Sequence, residues 1–96
     1  YAEKMKARWD RVDLDQYHVH NLDALASAVK ADTRLMFVCN PNNPTGTVVD
    51  GKKLADFCLE MSKKTLVFAD EAYLEFLEPE EQRSMVELVK QGHQVM

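Results

Sequence analysis

The sequence predicts an α/β fold, a partial three-layer αβα sandwich on a mostly parallel sheet. Three observations carry that reading. Two runs of strand length, residues 35–39 ("LMFVC") and 65–69 ("TLVFA"), are apolar with little alternation, the pattern of strands covered on both faces. Between them Leu54, Phe57, Cys58 and Met61 fall at helical spacing, so one crossover helix joins the strands into a right-handed, parallel βαβ unit. Each run also ends in a polar cluster, "NPNNPTG" from Asn40 to Gly46 and "DEAY" from Asp70 to Tyr73.

The remaining elements follow in chain order. Tyr1, Met5 and Arg8 share one helical face, so residues 1–8 read as the end of a helix. In residues 9–14, Val12 and Leu14 alternate with Arg11 and Asp13, which predicts a short, half-exposed strand. Asn21 is placed to cap a helix carrying Leu22, Leu25, Ala26 and Val29 on one face, and "ADT" breaks its pattern. Asp50 caps the crossover helix, whose Lys52, Lys53, Asp56, Glu60 and Lys63 face water. Pro79 suits the first turn of a last helix with Met85, Leu88 and Val89 inward and Gly92 as its stop. The acidic residues 78–81 would form its negatively charged start. The closing "HQVM" reads as the beginning of another strand. With a helical pattern already running at Tyr1, both ends are expected to be cut.

Composition narrows the function classes. Among 96 residues, 46% are hydrophobic and 29% charged, with a net charge of -4, the make-up of an ordinary globular chain. Lysines and arginines are scattered among acids, so no basic stripe marks a nucleic-acid partner. No apolar stretch approaches the roughly 18 residues of a membrane span, and the first residues hold no signal-peptide core. Cys39 and Cys58 lie in apolar runs at a spacing that fits no metal pattern, and read as small buried hydrophobes in a reducing compartment. His18 and His20, without a third ligand, read as surface residues rather than a metal site.

Function is expected where the polar clusters sit. In an open parallel sheet, ligands bind beyond the carboxyl ends of the strands, where loops diverge. Asn43, Asp70 and Tyr73 are therefore placed to converge on one small molecule. Pro41 and Pro44 fix the backbone of the first loop and Gly46 permits a conformation other residues resist, which holds the Asn43 amide ready. Taken alone, the same turn is also a plain strand-to-helix connection, and the Asp-Glu pair resembles the end of a Walker B strand. No GxxxxGK[ST] phosphate loop accompanies it.

Together and in this order, the two motifs resemble the large domain of the fold-type I pyridoxal-phosphate aminotransferases (class I/II). "NPNNPTG" with "DEAYLEF" is most similar to the histidinol-phosphate aminotransferases of histidine biosynthesis. The resemblance implies that residues 1–96 are an internal segment of the cofactor-binding large domain. It implies pyridoxal 5'-phosphate as cofactor, with Asp70 paired to the protonated pyridine nitrogen and Asn43 and Tyr73 donating to the phenolic oxygen. Ala72 would pack under the ring, and the Asn43-Pro44 bond would be cis; Glu71 receives no cofactor role. The Schiff-base lysine, the phosphate-cupping loop and the small-domain arginine find no counterpart here, so the segment alone is expected to be inactive. The implied parent is a cytoplasmic homodimer acting on an amino acid or amine and a 2-oxo acid, without nucleic-acid or membrane partners. The same scaffold also hosts C-S lyases, decarboxylases and the effector domains of transcription regulators, which stay open alternatives at this point.

Overall fold

The computed structural model describes residues 6–96. Asn21 begins α1 (Leu22–Ala28), its side-chain oxygen accepting the Ala24 N–H at 3.1 Å. This satisfies a backbone donor that the first helical turn leaves without a partner. Strand β1 (Leu35–Cys39) follows. Asp50 caps α2 (Gly51–Met61) in the same way, accepting from Lys53 N–H at 3.1 Å. The helix delivers the chain to β2 (Leu66–Asp70), which lies parallel to β1 in a register running from Leu35 opposite Leu66 to Cys39 opposite Asp70. The predicted βαβ unit is thus present, one residue later at its second strand.

The expected strand at "HQVM" is also found, reduced to a single parallel bridge between Val67 and Val95. Val67 N–H donates to Gln94, Met96 N–H to Val67 and Ala69 N–H to Met96, at 2.9, 2.9 and 2.8 Å. β2 is therefore bonded along both of its edges.

The core gathers on one face of the sheet. Val38, Leu54, Cys58 and Val67 are fully enclosed, joined by Met36, Met61, Met85, Leu88 and Val95. Leu22, Leu25, Ala26 and Val29 of the first helix and its end pack against the same cluster, as their spacing predicts. On the opposite face Leu35 and Phe37 remain 53% and 55% exposed, and Phe37 stacks on Phe68 with ring centroids 5.3 Å apart. The α/β class and the parallel pairing hold. Among the described residues, the helical layer covers one face only.

Two expectations are corrected. Residues 9–14 form no strand, because no described strand offers them a ladder of backbone partners; ion pairs hold the segment instead, Arg8 to Asp32 at 2.8 Å and Lys30 to Asp10 at 3.0 Å. The helix expected over residues 1–8 lies mostly outside the described residues, and Lys6 at φ 59° is not helical. The last helix, too, does not run on from Pro79. A single 3-10 turn (Pro79–Glu81) is followed by a break, and α3 (Val86–Lys90) starts afresh. The break is tied down by Glu71, whose carboxylate accepts from the Ser84 hydroxyl and the Met85 N–H, both at 2.6 Å. Gly92, at φ 85°, ends α3 as its sequence position predicts.

Candidate functional site

The two polar clusters leave the sheet at the same edge and the same height. Cys39 and Asp70 are register partners, and the next residue, Asn40, donates its backbone N–H to the Asp70 carbonyl at 2.9 Å. The first loop is strongly self-bonded. Asn42 N–H donates to Thr47 at 2.9 Å, Gly46 N–H to Asn42 at 2.7 Å, and the Asn42 side-chain amide to the Thr45 hydroxyl at 2.8 Å. Gly46 sits at φ 71°, the left-handed conformation that suits glycine. Both Asn43-Pro44 and Asn40-Pro41 are cis; the resemblance implied the first, and the second was not foreseen.

A neighbouring turn braces the loop. Asp15 organises residues 15–19 by accepting Tyr17 N–H at 2.8 Å and Val19 N–H at 3.1 Å. From that turn the His18 carbonyl accepts the Thr47 hydroxyl, and the half-buried His20 ring bonds the Cys39 carbonyl at 2.8 Å. His18 is a surface residue as expected, whereas His20 is not; it secures the end of β1. No group of described His, Cys, Asp or Glu residues is arranged to hold a metal ion.

The second loop is fastened through Glu71 to Ser84 and Met85. Asp70 is half-buried at the end of β2, with its Oδ1 accepting the Ala72 N–H at 3.1 Å. Tyr73 is 43% exposed, and its ring lies 5.9 Å from that of Phe76. Asn43 is exposed in the first loop. Asn43, Asp70 and Tyr73 are thus rooted at one sheet edge, but no hydrogen bond joins any two of them. A depression of about 670 Å³, lined by Trp9, Leu25, Val29 and Phe37 among others, lies away from these three residues.

The sequence does not single out Asn40, and it points to a surface position for His20 and to no cofactor role for Glu71. Asn40 is buried, and its Oδ1 accepts the Val49 N–H at 2.8 Å, closing the loop at its base. The only signal for it was its place between an apolar run and a proline. Lys90, the one lysine after Tyr73, lies at the end of α3 beside Glu87 at 3.3 Å, away from this edge.

Against known proteins, the sequence pattern described as "Aminotransferase class I and II" matches residues 3–96. The chain belongs to that family. Histidinol-phosphate aminotransferase 2 of Ralstonia nicotianae is 43% identical over 89 residues, covering 93% of this chain and 24% of the relative. An aromatic amino acid aminotransferase of Streptomyces coelicolor is 47% identical over 85 residues, 88% of this chain and 24% of the relative. Histidinol-phosphate aminotransferase 1 of Bacillus cereus is 40% identical, covering 81% of this chain and 21% of the relative. This aminotransferase-family chain therefore spans about a quarter of the length of such relatives. No described helix is long and apolar enough to cross a membrane.

Proposed function

We propose that the chain is an internal segment of the large domain of a pyridoxal 5'-phosphate-dependent aminotransferase, which moves an amino group between an amino acid or amine and a 2-oxo acid. The observation that carries this reading is the Asn40 N–H bond to the Asp70 carbonyl. It roots the Asn43 loop and the Asp70 to Tyr73 loop side by side, within a sequence of the aminotransferase family.

The residues fit the ring of the cofactor. One carboxylate (Asp70) and two neutral donors (the Asn43 amide and the Tyr73 hydroxyl) complement a ring that is cationic at its nitrogen and anionic at its oxygen. When bound, pyridoxal phosphate supplies an electron-withdrawing ring to the substrate. The task of Asp70 is to keep a proton on the ring nitrogen, since a nearby negative charge favours the protonated form. Its bond from Ala72 N–H holds the carboxylate oriented while the second oxygen stays available. Asn43 and Tyr73 would orient the ring by donating to its oxygen, the former from a loop already stiffened by its own hydrogen bonds.

The substrate, on this reading, is an amine of the kind that the relatives' names describe, histidinol phosphate or an aromatic amino acid. We further take the enzyme to be a cytoplasmic homodimer. The decisive test replaces Asp70 by Ala in the full-length protein. Pyridoxal phosphate should still bind while turnover falls by about a thousandfold or more, the scale on which a group stabilising transition-state charge acts. Near-normal turnover would remove Asp70 from the cofactor site. Activity assays with histidinol phosphate and with aromatic amino acids then separate the two substrate classes.

A further inference from the structure

We infer that Asn40 is a positioning residue for the cofactor site, the link that holds the Asn43 loop in register with Asp70. It rests on the roles proposed above for Asn43 and Asp70. Asn40 is only 6% exposed at the carboxyl end of β1. Its two bonds point in different directions: the backbone N–H to the Asp70 carbonyl at 2.9 Å, and the side-chain Oδ1 from the Val49 N–H at 2.8 Å. The loop carrying Asn43 therefore begins at Asn40 and returns to it at Val49, while the same residue is fastened to β2.

Within this closure, the Asn42 to Thr47 and Gly46 to Asn42 bonds make the loop tip a unit of its own. Removing Oδ1 leaves that tip intact but opens its base, and it strands a backbone N–H on Val49, a residue that is itself buried. The tip then shifts as a whole against Asp70. A donor displaced in this way no longer meets the ring oxygen at hydrogen-bonding distance. Asn40 touches no reacting atom; it acts through Asn43.

The experiment uses the full-length protein loaded with pyridoxal phosphate and follows the pH titration of the bound cofactor's visible absorption. Asn43→Ala serves as reference, with its midpoint raised by about one pH unit, a tenfold change in proton affinity. Asn40→Leu, similar in size but without an acceptor, and Asn40→Ser, smaller and easier to accommodate, should raise the midpoint in the same direction. Neither should add to the shift in the Asn43→Ala background, because residues acting through one group are not additive. An Asn40 effect that persists in full without Asn43, or lowered thermal stability with an unmoved midpoint, overturns the proposal and leaves Asn40 a purely structural residue. A shift with Asn43→Ala alone overturns the proposal and spares the Asn43 reading, whereas no shift with Asn43→Ala overturns both. If neither Asn40 variant folds, hydrogen exchange on the unaltered protein decides. Loading with pyridoxal phosphate should slow exchange of the Val49 N–H by about tenfold, as expected of a bond coupled to ligand binding, and unchanged exchange overturns the inference.

Discussion

The two faces of the short sheet are made of similar residues and meet different surroundings. On one, Met36, Val38 and Val67 are sealed beneath α2 by Leu54, Cys58 and Met61. On the other, Leu35 and Phe37 are more than half exposed, and Phe37 has a second ring, Phe68, stacked upon it. An apolar run such as "LMFVC" states what both faces of a strand are suited to bury, but the local chain supplies cover for only one. On our reading of the chain as a segment, the second cover comes from the rest of the domain.

The largest expected effect sharpens that contrast. Leu54→Ala empties a site that is 1% exposed and should cost about 3 kcal/mol. Phe37→Ala on the open face should cost about 1 kcal/mol, chiefly the ring pair. Urea unfolding followed by circular dichroism compares the two, and equal losses would show the faces to be energetically alike.

A second effect belongs to the closed face alone. Burial, reinforced by the negative charge of Glu71, pushes the Cys58 thiol up from its ordinary 9.0 to about 11. As pH rises past 9, the unfolded chain releases this proton first while the folded chain keeps it. The stability contributed by the neutral thiol is therefore complete below pH 9 and is lost progressively between pH 9 and 11. The loss should be on the order of 3 kcal/mol, two pH units at about 1.4 kcal/mol each. Cys58→Ala should flatten the stability profile over that window relative to the unaltered chain; an identical slope in both would exclude Cys58 as its source.

The smallest effect has the opposite sign. Thr65, buried just before β2, holds a hydroxyl without a hydrogen-bond partner. Thr65→Val keeps the shape and removes the orphaned group, so the thermal midpoint should rise, by about 1 kcal/mol in stability. A fall would mean that the hydroxyl is solvated in solution.

What the sequence made legible was local or periodic. The caps at Asn21 and Asp50, the inward stripe of α2 and the two strands all follow from spacing, and the resemblance added the cis bond before Pro44. What it hid depended on partners distant in the chain. Glu71 reads from the sequence as a solvated or structural carboxylate, and the partners that make it structural, Ser84 and Met85, lie well along the chain, at the break in the helix expected from Pro79. Residues 9–14 alternate like a strand, but alternation cannot provide a neighbour. Asn40 looked like one asparagine among three; only the return of the chain at Val49 distinguishes it.

The level pairing of β1 and β2 has a consequence for how this stretch can tolerate insertions and deletions. α2 joins the strands on the outside, so a turn of helix gained or lost there alters the length of the detour without altering where Cys39 and Asp70 meet. A single residue gained or lost within β2 is another matter. Side chains alternate along a strand, so it would turn Asp70 toward the face occupied by Ala69 and uncouple it from the asparagine loop. Length variation among sequences built on this plan should therefore gather in the crossover, and the five-residue strands should keep their count.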